Sequence, residues 1–221
     1  MAARGAGTDR TYGQWCPVAV GLDILGDRWV LLICRELLMG DRRFTDLRDA
    51  LPGLAPNLLT ERLRSLQTAG LVETAELPPP AARTVYRLTE QGHSVTPVLR
   101  ALARFGVSHL DGDPSPTFDA RRALHSLVLP WRQRTEADLR VRLVLRGTGA
   151  NADDSADLVL RGTSSEVTRP AGDADVTITT DAASLARARK NESAGLDAVV
   201  TGSLNSRRLA LQVLGFQLTR Q

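Results

Sequence analysis

The stretch from Phe44 to Leu88, FTDLRDALPGLAPNLLTERLRSLQTAGLVETAELPPPAARTVYRL, restricts this chain more than any other. Phe44, Leu47, Ala50 and Leu51 recur at helical spacing and predict a short amphipathic helix. Pro52-Gly53 then makes a tight turn. A second helix is expected to begin near Pro56-Asn57, because the first helical turn does not need the N–H that proline lacks. It should stop at Gly70, which suits the left-handed residue that ends a helix. Two strands, Leu71–Glu76 and Thr84–Leu88, flank Pro78-Pro79-Pro80, a run that cannot continue a ladder. Helix, turn, helix and hairpin is the order of a winged helix-turn-helix.

The second of these helices has two chemically different sides. Leu59, Leu63 and Leu66 form an apolar stripe. At roughly 100° per residue, Asn57, Thr60, Glu61, Arg64 and Thr68 fall on the opposite side. Arginine can grip guanine through two parallel hydrogen bonds, and asparagine can do the same with adenine. Arg83, just past the proline run, is placed to reach a phosphate or a minor groove. Overall charge gives little further guidance. The net charge is +3, but residues 1–113 hold 13 arginines against 13 carboxylates. Attraction to a polyanion must come from local placement of Arg42, Arg43, Arg62, Arg64 and Arg83.

Elsewhere in the first half, Cys16–Leu25 is expected to be helical, with Pro17 in its first turn and Gly26 closing it. Asp27 is expected to cap a mostly apolar helix from Arg28 to Met39 that ends at Gly40. Thr89 is expected to cap a long helix reaching about Leu110, with a late start or a kink at Pro97. Its apolar positions Val98, Leu99, Leu102, Phe105 and Leu110 suit packing against something large, such as a second subunit. The run DGDPSP from Asp111 to Pro116 reads as a linker.

With 221 residues the chain is long enough for two small domains, and its 4% aromatic content leaves their cores to aliphatic side chains. The second half is expected to open with a helix over Phe118–Arg132. Strands over Leu139–Leu145, Leu158–Leu160 and Val176–Thr179 follow. Asp181 should cap a helix from Ala182 to Lys190, before a strand over Ala198–Thr201 and a closing helix over Leu204–Leu214. These pieces predict an α+β domain with helices on a mostly antiparallel sheet. The expected organisation is therefore a DNA-binding and dimerisation domain over 12–110, a linker over 111–117 and a second domain over 118–221.

The run CPVAVGLDILGDRWVLLICRELLMGDRRFTDLRDALPGLAPNLLTERLRSLQTAGLVE, followed by YRLTEQGHSVTPVL, resembles the HxlR-type, MarR-like family of bacterial regulators. The resemblance covers roughly Cys16 to Gly106. It implies a homodimeric winged helix-turn-helix bound to an inverted-repeat operator on double-stranded DNA, more often as a repressor. It also implies that Cys16–Leu25 and the stretch after Thr89 build the dimer, that Arg42 and Arg43 clamp phosphates, and that Pro56–Arg64 reads the operator. Many relatives carry a basic residue where this chain has Asn57, which leaves the operator sequence open. More weakly, DADVTITTDAASLARARKN and AVVTGSLNSRRLALQVLGF are similar to sterol-carrier-protein-like domains. That similarity implies an apolar small-molecule effector held by Leu143, Val176, Ile178, Leu185, Leu196, Val199 and Leu209. The alternatives are a carrier of hydrophobic ligands and a thiol switch. Cys16 sits just ahead of a helix start, where the helix dipole favours a thiolate, and some relatives sense oxidants there.

An enzyme is not expected. His93, His109 and His125 are far apart in sequence and lack metal-ligand spacing, and no nucleophile motif, phosphate loop or dinucleotide fingerprint is present. No cofactor, metal or membrane partner is expected either. Two cysteines make no disulfide framework, and with no secretory signal or membrane-spanning run the expected location is the cytoplasm.

Overall fold

A computed structural model describes residues 11–77, 83–112, 118–133, 136–147 and 152–219. The chain divides into two compact units, Met1–Leu99 and Arg100–Gln221. The division falls inside a helix. The proline run 78–80 and most of the expected linker lie outside the described residues.

In the first unit, Pro17 opens helix α1 (Pro17–Leu25), and the Gly26 N–H closes it on the Leu22 carbonyl at 2.8 Å. The expected start of the next helix needs correction. Helix α2 spans Val30–Leu38, and Trp29, not Asp27, is its N-cap. Trp29 has φ +82°, a left-handed conformation that costs a bulky residue about 1–3 kcal/mol. Asp27 does not cap because its carboxylate is drawn to Arg62, 3.0 Å away. Helix α3 (Phe44–Ala50) begins with the Arg43 N–H bound to the Asp46 carboxylate at 3.0 Å.

Helix α4 (Pro56–Thr68) has Pro56 in its first turn and ends as expected, with Gly70 at φ +72°. The Gly70 N–H reaches the Gln67 carbonyl and the Leu71 N–H the Leu66 carbonyl, satisfying two groups that every helix end leaves open. Strands β1 (Val72–Glu76) and β2 (Thr84–Leu88) pair antiparallel with Val72 opposite Leu88. Arg42 adds a one-residue bridge to Tyr86 with hydrogen bonds in both directions, at 3.0 and 2.7 Å.

The helix after the hairpin starts late. Thr89 accepts the Gly92 N–H at 2.9 Å and donates to the Gly70 carbonyl at 2.6 Å. A 3-10 turn over Gly92–Val95 precedes α5 (Thr96–Val107), whose first turn holds Pro97. The core of this unit is built from Ile33, Leu37, Leu47, Leu59, Leu63 and Leu66, with Leu71, Val72 and Leu88 from the hairpin. Glu36 is buried on the same helix and holds Arg35 at 2.6 Å.

In the second unit the expected helix Phe118–Arg132 is broken. Helix α6 covers only Ala120–Ala123, followed by a π-turn over Leu124–Val128 and a 3-10 turn over Leu129–Trp131. Pro130 supplies the reason, since it has no N–H to continue an α-helical ladder and its ring crowds the preceding turn. Five strands follow, β3 (Leu139–Leu145), β4 (Asp154–Arg161), β5 (Ser164–Thr168), β6 (Val176–Thr180) and β7 (Val199–Gly202), in the order β5-β4-β3-β6-β7. Every neighbouring pair is antiparallel except β3 and β6. Helix α7 (Ala182–Lys190) is capped by Asp181, which accepts the Ser184 N–H at 2.7 Å. Helix α8 (Leu204–Leu214) is capped by Ser203.

Two buried charges brace this unit. Burial pushes the Asp157 carboxyl up, but hydrogen bonds from Arg142, the Ala171 N–H and Arg140 outweigh it and hold it below the ordinary carboxylate range. Arg189 donates to the carbonyls of Leu127, Leu214 and Gly215, and its guanidinium lies over the Phe216 ring.

Candidate nucleic-acid interface

Helix α4 keeps its two sides apart. Leu59, Leu63 and Leu66 are fully buried, whereas Asn57, Glu61, Arg64, Ser65 and Thr68 are exposed on the other side. Thr60 is half-buried there, its hydroxyl turned back to the Pro56 carbonyl at 3.0 Å. Neither Arg64 nor Asn57 has a hydrogen bond or ion pair among the described residues. Their donors are therefore available to a base edge or a phosphate without first breaking an internal contact.

Three other arginines of this unit, Arg62, Arg42 and Arg43, are less available. Arg62 shares the helix with Arg64 but only 12% of its side chain is exposed, and it is held by Glu61 at 2.8 Å and Asp27 at 3.0 Å. It ties α4 to the α1–α2 junction. Arg42 leans on buried Glu36, with its Nε 3.5 Å from the Glu36 carbonyl and a guanidinium nitrogen 3.9 Å from the carboxylate. Arg43 grips Asp46 through both Nε and Nη2 at 2.6–3.1 Å. The Arg43 hydrogen bond holds the Asp46 carboxyl below the usual carboxylate range and raises Arg43 itself. A phosphate at either position must compete with a carboxylate already in place. Arg83 is exposed at the loop end of the hairpin, where its carbonyl accepts the Leu77 N–H at 2.9 Å.

The outward side of α4 forms one wall of a broad cleft of about 1370 Å³. Leu22, Ile24 and Val30 line the other wall. The apolar side of α1 is open as well, with Val18 69% exposed and Val20 and Ile24 also exposed. On α5, Val98, Leu102 and Phe105 are exposed. Val98, Leu102 and Phe105 recur at helical spacing, and a run of exposed apolar side chains along one helix marks an interaction surface.

Cys16 is half-buried at the N-cap of α1, while Cys34 is fully buried in α2. Desolvation pushes the Cys34 thiol up to about 11, against a hydrogen bond with its own backbone. In the second unit, Leu143, Val176, Ile178, Leu185 and Leu196 pack together in the core, Leu209 packs against it, and Val199 is 53% exposed. None of the seven lines the recess of about 250 Å³ beside Trp131, Gly215 and Phe216. Among the described residues no three His, Cys, Asp or Glu side chains cluster as metal ligands, and no helix is long and apolar enough to cross a membrane.

Sequence patterning brought Asn57, Thr60, Glu61 and Arg64 onto one surface and missed the acids that hold the nearby arginines Arg62 and Arg42. The missed residues are Asp27 and Glu36. Glu36 carried a signal, because helical spacing puts it on the apolar side with Ile33 and Leu37. Asp27 gave none, since an acid ahead of an apolar run also reads as a helix cap.

Residues 24–114 match the HxlR-like helix-turn-helix family. The uncharacterized HTH-type transcriptional regulator sll1512 of Synechocystis sp. is 39% identical over 99 residues, which cover 45% of this chain and 73% of that one. YvaP of Bacillus subtilis, another uncharacterized HTH-type transcriptional regulator, is 35% identical over 99 residues, covering 44% and 92%. Among solved structures, the reduced form of the transcriptional regulator YodB from B. subtilis is 29% identical, with 45% of this chain and 100% of that chain covered and a TM-score of 0.39.

Proposed function

This chain belongs to the HxlR-like helix-turn-helix family, whose relatives are HTH-type transcriptional regulators, and we propose that it reads an inverted-repeat operator as a homodimeric repressor through the outward side of α4. The observation that carries this is the free state of Arg64 and Asn57 on an exposed surface backed by buried leucines. The exposed apolar residues of α1 and α5 support the dimer, because two copies would remove them from water. Two reader helices spaced about one DNA turn apart would then grip adjacent major grooves, with Arg83 on the flanking backbone or minor groove. Arg42 and Arg43 contribute to phosphate binding only by exchanging Glu36 and Asp46 for the DNA.

In this proposal the second unit senses an apolar small molecule. Its support is the similarity of residues 118–221 to sterol-carrier-like domains and the central strands β3 and β6, whose buried side chains are aliphatic apart from Thr180. Leu143, Val176, Ile178, Leu185 and Leu196 already touch one another, so entry of a ligand requires that packing to open. A ligand favouring the opened unit lowers DNA affinity by its differential binding energy between the two states. Selection of bound sequences from random duplex DNA tests the proposal. An enriched inverted repeat is expected, and recovery of no sequence preference would refute it. Mass spectrometry of apolar molecules that co-purify tests the effector.

The second reading is a thiol switch. Cys16 is the one of the two cysteines that is only half-buried, and it sits at the N-cap of α1, where a reagent can reach it. A Cys16→Ser variant that loses its response to oxidants would favour the switch. One that keeps its response to an apolar inducer would favour the effector.

A further inference from the structure

The recess of about 250 Å³ in the second unit owes its shape to small residues set between large ones. Trp131 and Phe216 supply ring walls, while Ala188, Gly195 and Gly215 leave the space beside them open. A Cβ at Gly215 would stand 3.6 Å from the Trp131 carbonyl oxygen. Gly195 is more constrained. Its φ is +67°, and a Cβ there would come within 2.8 Å of the Thr219 nitrogen. Glycine therefore lets segment 217–219 run close enough for the Leu196 N–H to reach the Gln217 carbonyl at 2.6 Å.

The walls are held in place by the protein itself. The Gln133 N–H donates to the Val213 carbonyl at 2.8 Å, and Arg104 donates to the Pro130 carbonyl on the other side of Trp131. Buried Arg189 lies 3.5 Å from the centre of the Phe216 ring and 5.1 Å from that of Trp131, and it binds the Leu214 and Gly215 carbonyls. One guanidinium thus positions both rings. Polar groups of the lining are unspent. The Trp131 indole N–H and the side-chain amides of Gln133 and Gln217, both exposed, make no hydrogen bond among the described residues. Apolar walls with a few convergent polar groups are the composition of a small-molecule site.

We infer that this recess binds an uncharged planar compound of single-ring size that carries a carbonyl, amide or hydroxyl group. Size sets the first limit. A cavity of about 150 Å³ admits benzene, and sites for drug-sized ligands run to about 300–1,000 Å³, so one substituted ring fits and a sterol or long acyl chain does not. Charge sets the second, because no lining side chain is ionisable. Chemistry sets the third. Aromatic rings gain from one another beyond the area they bury, and a glutamine amide both donates and accepts. The inference rests on the reading of the second unit as a small-molecule sensor. It names the ligand class and a place that is open without disturbing the aliphatic core.

The test titrates the full chain with benzamide, followed by saturation-transfer NMR, and uses cyclohexanecarboxamide as the non-aromatic counterpart. Benzamide is expected to bind with a Kd on the order of 1 mM, as suits so small a molecule. Cyclohexanecarboxamide should bind about fivefold more weakly or worse, having lost the ring contacts. Ala188→Leu fills the recess and should weaken benzamide about tenfold or more by overpacking. Gln133→Ala/Gln217→Ala changes only exposed side chains, keeps the fold, and should weaken it about fivefold through lost hydrogen bonds. Equal binding of the two amides, or benzamide binding that survives the glutamine variant, overturns the site. If palmitate or cholesterol binds while benzamide does not, the recess is overturned and the sensor reading stands. If benzamide binds as expected but leaves affinity for the selected operator unchanged at saturation, the site stands and the sensor reading falls.

Discussion

Two cysteines eighteen positions apart differ in burial, Cys16 half-buried and Cys34 fully buried. Burial raises the Cys34 thiol from an ordinary 9.0 to about 11. The folded state therefore holds its proton over a range in which the unfolded chain has lost it. Stability from the neutral Cys34 is complete below about pH 9 and is lost as pH rises toward 11. Urea unfolding between those values should show this decline, and Cys34→Ala, though destabilised by its cavity, should show a shallower dependence. At pH 8 a small alkylating reagent should modify Cys16 in the folded protein and spare Cys34, as read by mass spectrometry. The two arginines on one side of α4 differ in a similar way. Arg62, largely buried against Asp27, belongs to the fold, while Arg64, with no partner among the described residues, is left for another molecule.

Among the elements, the joint between α4, β1 and the turn before α5 tolerates the least change. A Cβ built on Gly92 would stand 2.0 Å from the Leu71 carbonyl oxygen, which is backbone and cannot move aside. Gly92→Ala is expected to cost about 1–3 kcal/mol by overpacking, measured as a lower urea midpoint at unchanged slope. This joint also shows how far sequence reading reached. Helix α4 was legible because Pro56, the three leucines and Gly70 agree on one element with one buried side. The start of α2 was not, because Asp27 looks like a cap until Arg62, thirty-five positions later, claims its carboxylate. Strand β5 went unread because Ser164, Ser165, Glu166 and Thr168 leave Val167 alone to signal a buried side. The helix before β3 was read as continuous because a proline's effect on pitch depends on whether the preceding turn can widen, as it does over Leu124–Val128.

For the whole molecule, the DNA-reading account needs two copies and an unobstructed α4. The exposed apolar residues of α1 and α5 should place the chain as a dimer in sedimentation equilibrium. Val20→Glu, at an exposed position on α1, should shift it toward monomer and weaken operator binding more than tenfold without unfolding either unit. The most direct measurement is a titration of the selected operator, and of single-base variants of it, with the full chain and with Arg64→Ala. The account predicts that Arg64→Ala folds normally, weakens operator binding by ~1–3 kcal/mol and loses discrimination at one base position in each half-site. Unchanged affinity together with unchanged base preference would show that the exposed side of α4 is not what meets the DNA.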